Sequence, residues 1–165
     1  MNIALIINDL ESERSALKVG LELEERLGQL GINNTLIDLQ DDVSPDISDY
    51  DGIILIAENQ GPLISFDLYN MILSNRNNWS GKLILPIITT QEALLGESAS
   101  RQIMSTLVSL GANMITEQTI FTKLENKFDK SMNLKDQELN FVIDRLILLV
   151  LSEGRPSPYR MRIIA

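Results

Sequence analysis

Three stretches of the chain are apolar without alternation: NIALII at 2–7, GIILIA at 52–57 and KLILPIIT at 82–89. A strand with one wet face alternates apolar and polar side chains. An unbroken run rich in Ile and Leu belongs instead to a strand covered on both faces. The stretches between these runs must therefore supply helices for both sides of a sheet.

They do so by pattern. From Glu13 to Leu30, apolar residues fall at Ala16, Leu17, Val19, Leu21, Leu23, Leu27 and Leu30, with charges on the other face. That is a helix, ended by Gly28 or Gly31. NTLIDL (34–39) reads as a second strand, and QDDVSPDISDY as a polar, Pro-containing connection. LISFDLYNMILSN (63–75) and ESASRQIMSTLVSL (97–110) read as helices, the latter closed by Gly111. ANMITEQTIF (112–121) contains a fifth strand, and LKDQELNFVIDRLILLVL (134–151) is a last helix. Pro86 is a blemish in the fourth strand, because it has no N–H to give. The order β-α-β-β-α-β-α-β-α predicts an α/β fold, a flavodoxin-like, doubly wound, five-stranded parallel sheet of order 2-1-3-4-5. The expected domain is 1–152. Residues 153–165, with two prolines and three arginines, form a C-terminal arm.

Composition narrows the chemistry. There is no cysteine and no histidine. That excludes a disulfide framework, thiolate chemistry, a zinc site and a Ser-His-Asp hydrolase. Net charge is −9, and residues 1–70 carry 14 acids against 3 bases. So acidic a surface argues against nucleic acid as a partner. The longest apolar stretch, Phe141 to Leu151, is too short for a bilayer and is broken by Asp144 and Arg145. The N-terminus lacks a basic region and a cleavage site. A soluble, cytoplasmic protein without a membrane partner is expected.

Sheets of this kind bind ligands at the carboxyl ends of the strands, beside the switch between strands 1 and 3. That places a site at residues 8–15, 57–63 and 89–96. The first of these loops, NDLESERS, stands where a helix start usually holds a phosphate. Yet it carries Asp9, Glu11 and Glu13. These acids read either as an N-cap and first-turn complement to the helix dipole or as ligands for Mg²⁺ or another cation. Glu58 either fixes a ligand's ring edge through its backbone or is a solvated loop acid. Gly61-Pro62 is a turn signal. Trp79 either covers a ligand or packs before strand 4. Phe66, Tyr69, Met71 and Ile72 form an apolar helix surface.

NNWSGKLILPIITT, ESASRQIMSTLVSLGANMI and KFDKSMNLKDQELNFVIDRL resemble the second half of the NADPH-dependent FMN reductase family, which includes related quinone, azo-dye and chromate reductases. The resemblance covers roughly residues 1–150. It implies FMN at the carboxyl ends of strands 1, 3 and 4, NAD(P)H as reductant and a small-molecule electron acceptor. It also implies a homodimer or homotetramer built partly on the helix with Phe66 and Tyr69. Carried over by position, Asn8, Asp9, Leu10, Ser12 and Ser15 fall on the phosphate loop. Glu58, Asn59, Gln60 and Gly61 fall beside the isoalloxazine ring, and Thr89, Thr90 and Gln91 on the third loop.

The functional loops depart from the family. Its first loop reads Gly-Ser-Leu-Arg, but here the residues are Asn8-Asp9-Leu10-Glu11. Its second loop has a Pro and a Tyr that are missing here, although Glu58, Gly61 and Asn70 are kept. Its third loop is Gly-rich, whereas this one has only Gly96. A carboxylate about 5 Å from a phosphate dianion, at an effective dielectric near 20, costs on the order of several kcal/mol. Two outcomes follow. Either the acids turn outward and the chain is a reductase with weakly held flavin, or it has lost FMN and serves as a non-catalytic, partner-binding or regulatory relative. A third reading is a phosphoacceptor domain like response-regulator receivers, with Asp9, Thr89, Lys123 and, at the acceptor position, Glu58.

Overall fold

A computed structural model of the chain describes residues 1–10, 13–115 and 119–153. The strands are β1 (Asn2–Asn8), β2 (Asn33–Asp38), β3 (Gly52–Asn59), β4 (Leu83–Thr90), β5 (Asn113–Met114) and β6 (Thr119–Thr122). The helices are α1 (Ser15–Gln29), α2 (Phe66–Ser74), α3 (Ala93–Ser109) and α4 (Gln137–Glu153). The sheet runs β2-β1-β3-β4, and β5 and β6 both lie along the outer edge of β4. All pairings between these strands are parallel. This is the doubly wound, flavodoxin-like order predicted from the apolar runs.

The expected fifth strand is thus two short pieces. Pro86 lies on β4 between the residues that pair with the two pieces. Asn113 and Ile115 donate their N–H groups to the carbonyls of Lys82 and Ile84. Even-numbered residues of β4 therefore turn their backbone toward this edge. Pro86 faces it too and has no N–H to give.

Both faces of the sheet are covered. Ile3, Leu5, Ile7, Ile54, Ile56, Leu85 and Ile87 pack under α1 and α4. Ala4, Ile6, Ile53, Leu55, Ile84 and Ile88 pack under α2 and α3. That is why β1, β3 and β4 read as continuous apolar runs. Each buried Ile or Leu contributes on the order of 1.5–3 kcal/mol. Two glycines let the helices approach closely. A Cβ on Gly20 of α1 would lie 2.4 Å from Ile7 Cδ1, and one on Gly96 of α3 would lie 2.6 Å from Ile120 Cγ2. The α3 helix begins at Ala93, four residues before the periodic pattern does, because Leu94 and Leu95 open it without charge alternation.

Trp79 is fully buried, and its indole N–H donates to the Ile72 carbonyl at 2.8 Å. The packing reading of this residue holds. Among the described residues, no helix is long and apolar enough to cross a membrane. Residues 154–165, the expected arm, lie outside the described residues.

Candidate functional site

The carboxyl ends of β1, β3 and β4 converge beside the start of α1, as the strand order requires. The last residue of β1 is followed by Asp9, whose side chain turns inward rather than to solvent. Its carboxylate accepts the backbone N–H of Ala16 at 2.8 Å and of Leu17 at 3.0 Å. Those are the second and third residues of α1, whose N–H groups have no partner within the helix. Arg14 adds a third donor, its Nε lying 3.1 Å from Asp9 Oδ2. The Asp9 side chain is 0% exposed.

The helix start is therefore already holding an anion, supplied by the chain itself. The N-cap reading of the acids is right in kind and different in detail. Asp9 caps from six residues before the helix begins. Arg14 occupies the N-cap position in a left-handed conformation (φ 55°) and makes no capping bond of its own. There are no acids in the first turn of α1, and Glu13 is exposed. Glu11 and Ser12 lie outside the described residues.

Arg14 is itself anchored. Its guanidinium bonds the Asp38 carboxylate at the end of β2 and donates to Gln40 Oε1 at 2.9 Å. Burial works to lower the Arg14 pKa, but the bonds to Asp9 and Asp38 and the charges of both acids outweigh it and raise it. The guanidinium is a permanent cation between two carboxylates. Arg14, Asp38 and Gln40 were not foreseen as site residues. Only Asp38, the acid next to the end of NTLIDL and at the carboxyl end of a strand beside β1, hints at them.

The remaining predicted residues are only partly gathered. Glu58 is buried, and its Oε2 accepts the N–H of Leu10 at 2.6 Å. It is not a solvated loop acid. It ties the first loop to the end of β3. Asn59 is buried and ties its own loop to α3, donating from Nδ2 to the carbonyls of Gly61 and Leu95. Thr90 Oγ1 engages the backbone of Glu92. Asn8 is turned away from the others, accepting from Ser65 Oγ at 2.8 Å. The Leu10 side chain is exposed. Ser15, Glu58, Asn59, Gln60, Thr89, Thr90 and Gln91 line one common cleft with Leu124. Thr89 Oγ1 is buried in it without a partner.

That cleft is closed. Its volume is about 10 Å³, room for roughly one water. Ligand sites of this size class need about 300–1,000 Å³. The phosphate fares no better, since its usual seat is filled by a buried carboxylate. A cation at Asp9 is disfavoured for the same reason, because both carboxylate oxygens already accept hydrogen bonds. Of the residues of the receiver reading, Lys123 is exposed, and Glu58 accepts the Leu10 N–H. Among the described residues, no three acids stand together in a metal-binding group. A roomier cleft of about 360 Å³ lies at the sheet edge, between β6 and α4.

The helix surface with Phe66 and Tyr69 divides. Met71 and Ile72 are core. Phe66, 75% exposed, and Tyr69 face out with Leu63, Leu73 and Leu94. Hydrogen bonds from Ile64 N–H to Gln102 and from Ser98 to the Pro62 carbonyl hold this loop against α3.

No protein-family profile matches the sequence, and no curated protein matches it. Among solved structures, oxidised flavodoxin 2 of Bacillus cereus superposes with a TM-score of 0.73 at 15% identity, over 92% of this chain and 99% of that one. FerB, a flavoenzyme NAD(P)H:(acceptor) oxidoreductase from Paracoccus denitrificans, gives 0.72 at 15% identity, over 90% and 94%. The apo form of EMOB, an NADH:FMN oxidoreductase, gives 0.71 at 14% identity, over 92% and 89%. At these identities the likeness is one of fold.

Proposed function

We propose that this chain is a non-catalytic, flavodoxin-fold protein that has given up FMN and acts in the cytoplasm by binding a protein partner, beginning with a second copy of itself. One observation carries the reading. The carboxylate of Asp9 is buried on the N–H groups of Ala16 and Leu17, where a flavin phosphate would need them. Expelling it would break three hydrogen bonds and bring two anions together. The exposed Leu63, Phe66, Tyr69, Leu73 and Leu94 supply a surface that a self-associating protein would bury.

A second reading is a flavin or quinone-type reductase, with FMN, NAD(P)H and a small-molecule acceptor. The fold shared with FerB and EMOB favours it. In that case flavin would supply the hydride chemistry, and the Asp9 side chain would first have to leave its seat.

The test is the visible spectrum of the purified protein, followed by FMN titration and an NAD(P)H oxidation assay. A colourless protein that leaves excess FMN unbound and NAD(P)H unconsumed supports partner binding. Flavin that co-purifies and turns over NAD(P)H overturns it in favour of the reductase.

A further inference from the structure

A cleft of about 360 Å³ opens between β6 and the start of α4, lined on its apolar side by Phe121, Leu124, Leu139 and Val142. It runs beside an edge of the sheet: among the described residues, β6 pairs with β4 and with no other strand. The Lys123 N–H donates to the Thr90 carbonyl, so odd-numbered residues here turn their backbone toward β4. Ile120 and Thr122, both half-buried, therefore turn theirs outward. An open edge beside an apolar trough can take an extended segment as an extra strand. The edge supplies backbone hydrogen bonds, and the trough receives alternate side chains.

The sequence carries such a segment. Tyr159, Met161 and Ile163 alternate with Arg160 and Arg162, the period of a strand with one apolar face. Pro156 and Pro158 precede it, so every residue from 159 on has an N–H to give. Its arginines suit a chain of net charge −9, and Glu138 stands exposed at the rim of the cleft. Connection rules decide which copy supplies it. Helix α4 starts beyond the carboxyl end of β6 and runs back about 25 Å over its 17 residues. A segment following it and laid along β6 would run parallel to β6. Helix α4 shares a face of the sheet with α1, which leads from β1 toward the β2 edge; α2 leads the other way, from β3 to β4, on the opposite face. A strand reached through α4 and laid outside β6 would make a left-handed crossover, whereas parallel connections are right-handed in about 98% of cases. A segment from another molecule is free of that restriction. We propose that residues 159–163 of a second copy add to β6 as a strand, with Tyr159, Met161 and Ile163 over the cleft. This arm exchange rests on the self-association proposed above and adds a contact apart from the α2 face.

The experiment uses the full chain, as wild type and as the double variant Met161→Glu with Ile163→Glu, which leaves every residue of the sheet and helices in place. Amide exchange of Ile120 and Thr122 is followed by NMR over a dilution series, and association by sedimentation equilibrium. In wild type both amides are expected to be protected at high concentration and to exchange at least tenfold faster on dilution to monomer. In the double variant they are expected to exchange fast throughout, with the association constant at least tenfold lower. A labelled peptide of residues 154–165 is expected to bind the double variant saturably, and the same peptide with the two Glu substitutions is expected not to bind. Amides equally fast in both proteins overturn the inference, as does an association constant within twofold of wild type in the double variant. Protection that dilution does not change places the segment on its own chain and overturns the exchange. Association lost in Phe66→Glu but kept in the double variant overturns this inference and leaves self-association standing. FMN bound by a wild type that still protects Ile120 and Thr122 through a second copy overturns the function proposed above and supports the exchange.

Discussion

Arg14→Gln tests whether the ion pair at the start of α1 holds that corner of the molecule together. The guanidinium is 24% exposed, and its partner Asp9 is 0% exposed. At 3.1 Å and an effective dielectric near 20, the attraction is at most ~5 kcal/mol. Desolvation of the carboxylate offsets much of that. Breaking a fully buried pair costs about 3–5 kcal/mol, and exposed pairs are worth about 0–1. Arg14 is a quarter exposed, so a coupling of about 2 kcal/mol is expected. Gln is the right substitute because it shares the cost of the left-handed conformation at φ 55°, which any residue with a Cβ bears. The assay is urea unfolding of wild type, Arg14→Gln, Asp9→Asn and the double variant. The double variant should lose about 2 kcal/mol less than the two single losses added together. A coupling below about 0.5 kcal/mol, with unchanged m-values, would show that Arg14 is only a surface neighbour of a capping aspartate.

Further tests address other parts of the fold. Gly96→Ala should destabilise by about 1–3 kcal/mol, because the new Cβ would meet Ile120 Cγ2 at 2.6 Å and Thr90 Cγ2 at 3.0 Å; an unchanged unfolding midpoint would refute the close approach of α3 to β6. Asp136 accepts from Lys127 at 2.8 Å and from the Leu139 N–H at 2.8 Å, at the start of α4. The Lys127 bond leads in holding its pKa below the usual aspartate value. A depressed carboxylate pKa gives stability that is present above the unfolded value, near 4, and is lost as pH falls through the folded value. Asp136→Asn should therefore melt below wild type at pH 6, with the gap closing below about pH 4; a gap that persists there would contradict this. If the chain self-associates through this face as proposed, Phe66→Glu should lower the sedimentation coefficient in analytical ultracentrifugation while the far-UV circular dichroism stays that of wild type; an unchanged sedimentation coefficient would remove this face from the proposed interface.

Most of the scaffold was legible because it rests on periodicity. The unbroken Ile-rich runs could only be strands covered on both sides, and their spacing set the order of the sheet. The site was legible only in position. The acids of the first loop were plain in NDLESERS, but a carboxylate that turns inward and one that turns outward look alike in a sequence. What decides the matter is Arg14, and Arg14 is fixed by Asp38, 24 residues away at the end of β2. Glu58 was read as a solvated loop acid or a backbone contact. Its actual role, taking the N–H of Leu10, depends on the register that sets Asn8 beside Ala57. Long-range pairings of this kind leave no local pattern.

The most direct measurement is on wild-type protein: the amide NMR shifts of Ala16 and Leu17 while FMN, and separately inorganic phosphate, is added. Both N–H groups already donate to Asp9. Resonances that stay in place at a large excess of either ligand are predicted. Saturable shifts of these two amides would mean that the carboxylate leaves its seat for a phosphate, and would contradict the loss of FMN from this fold.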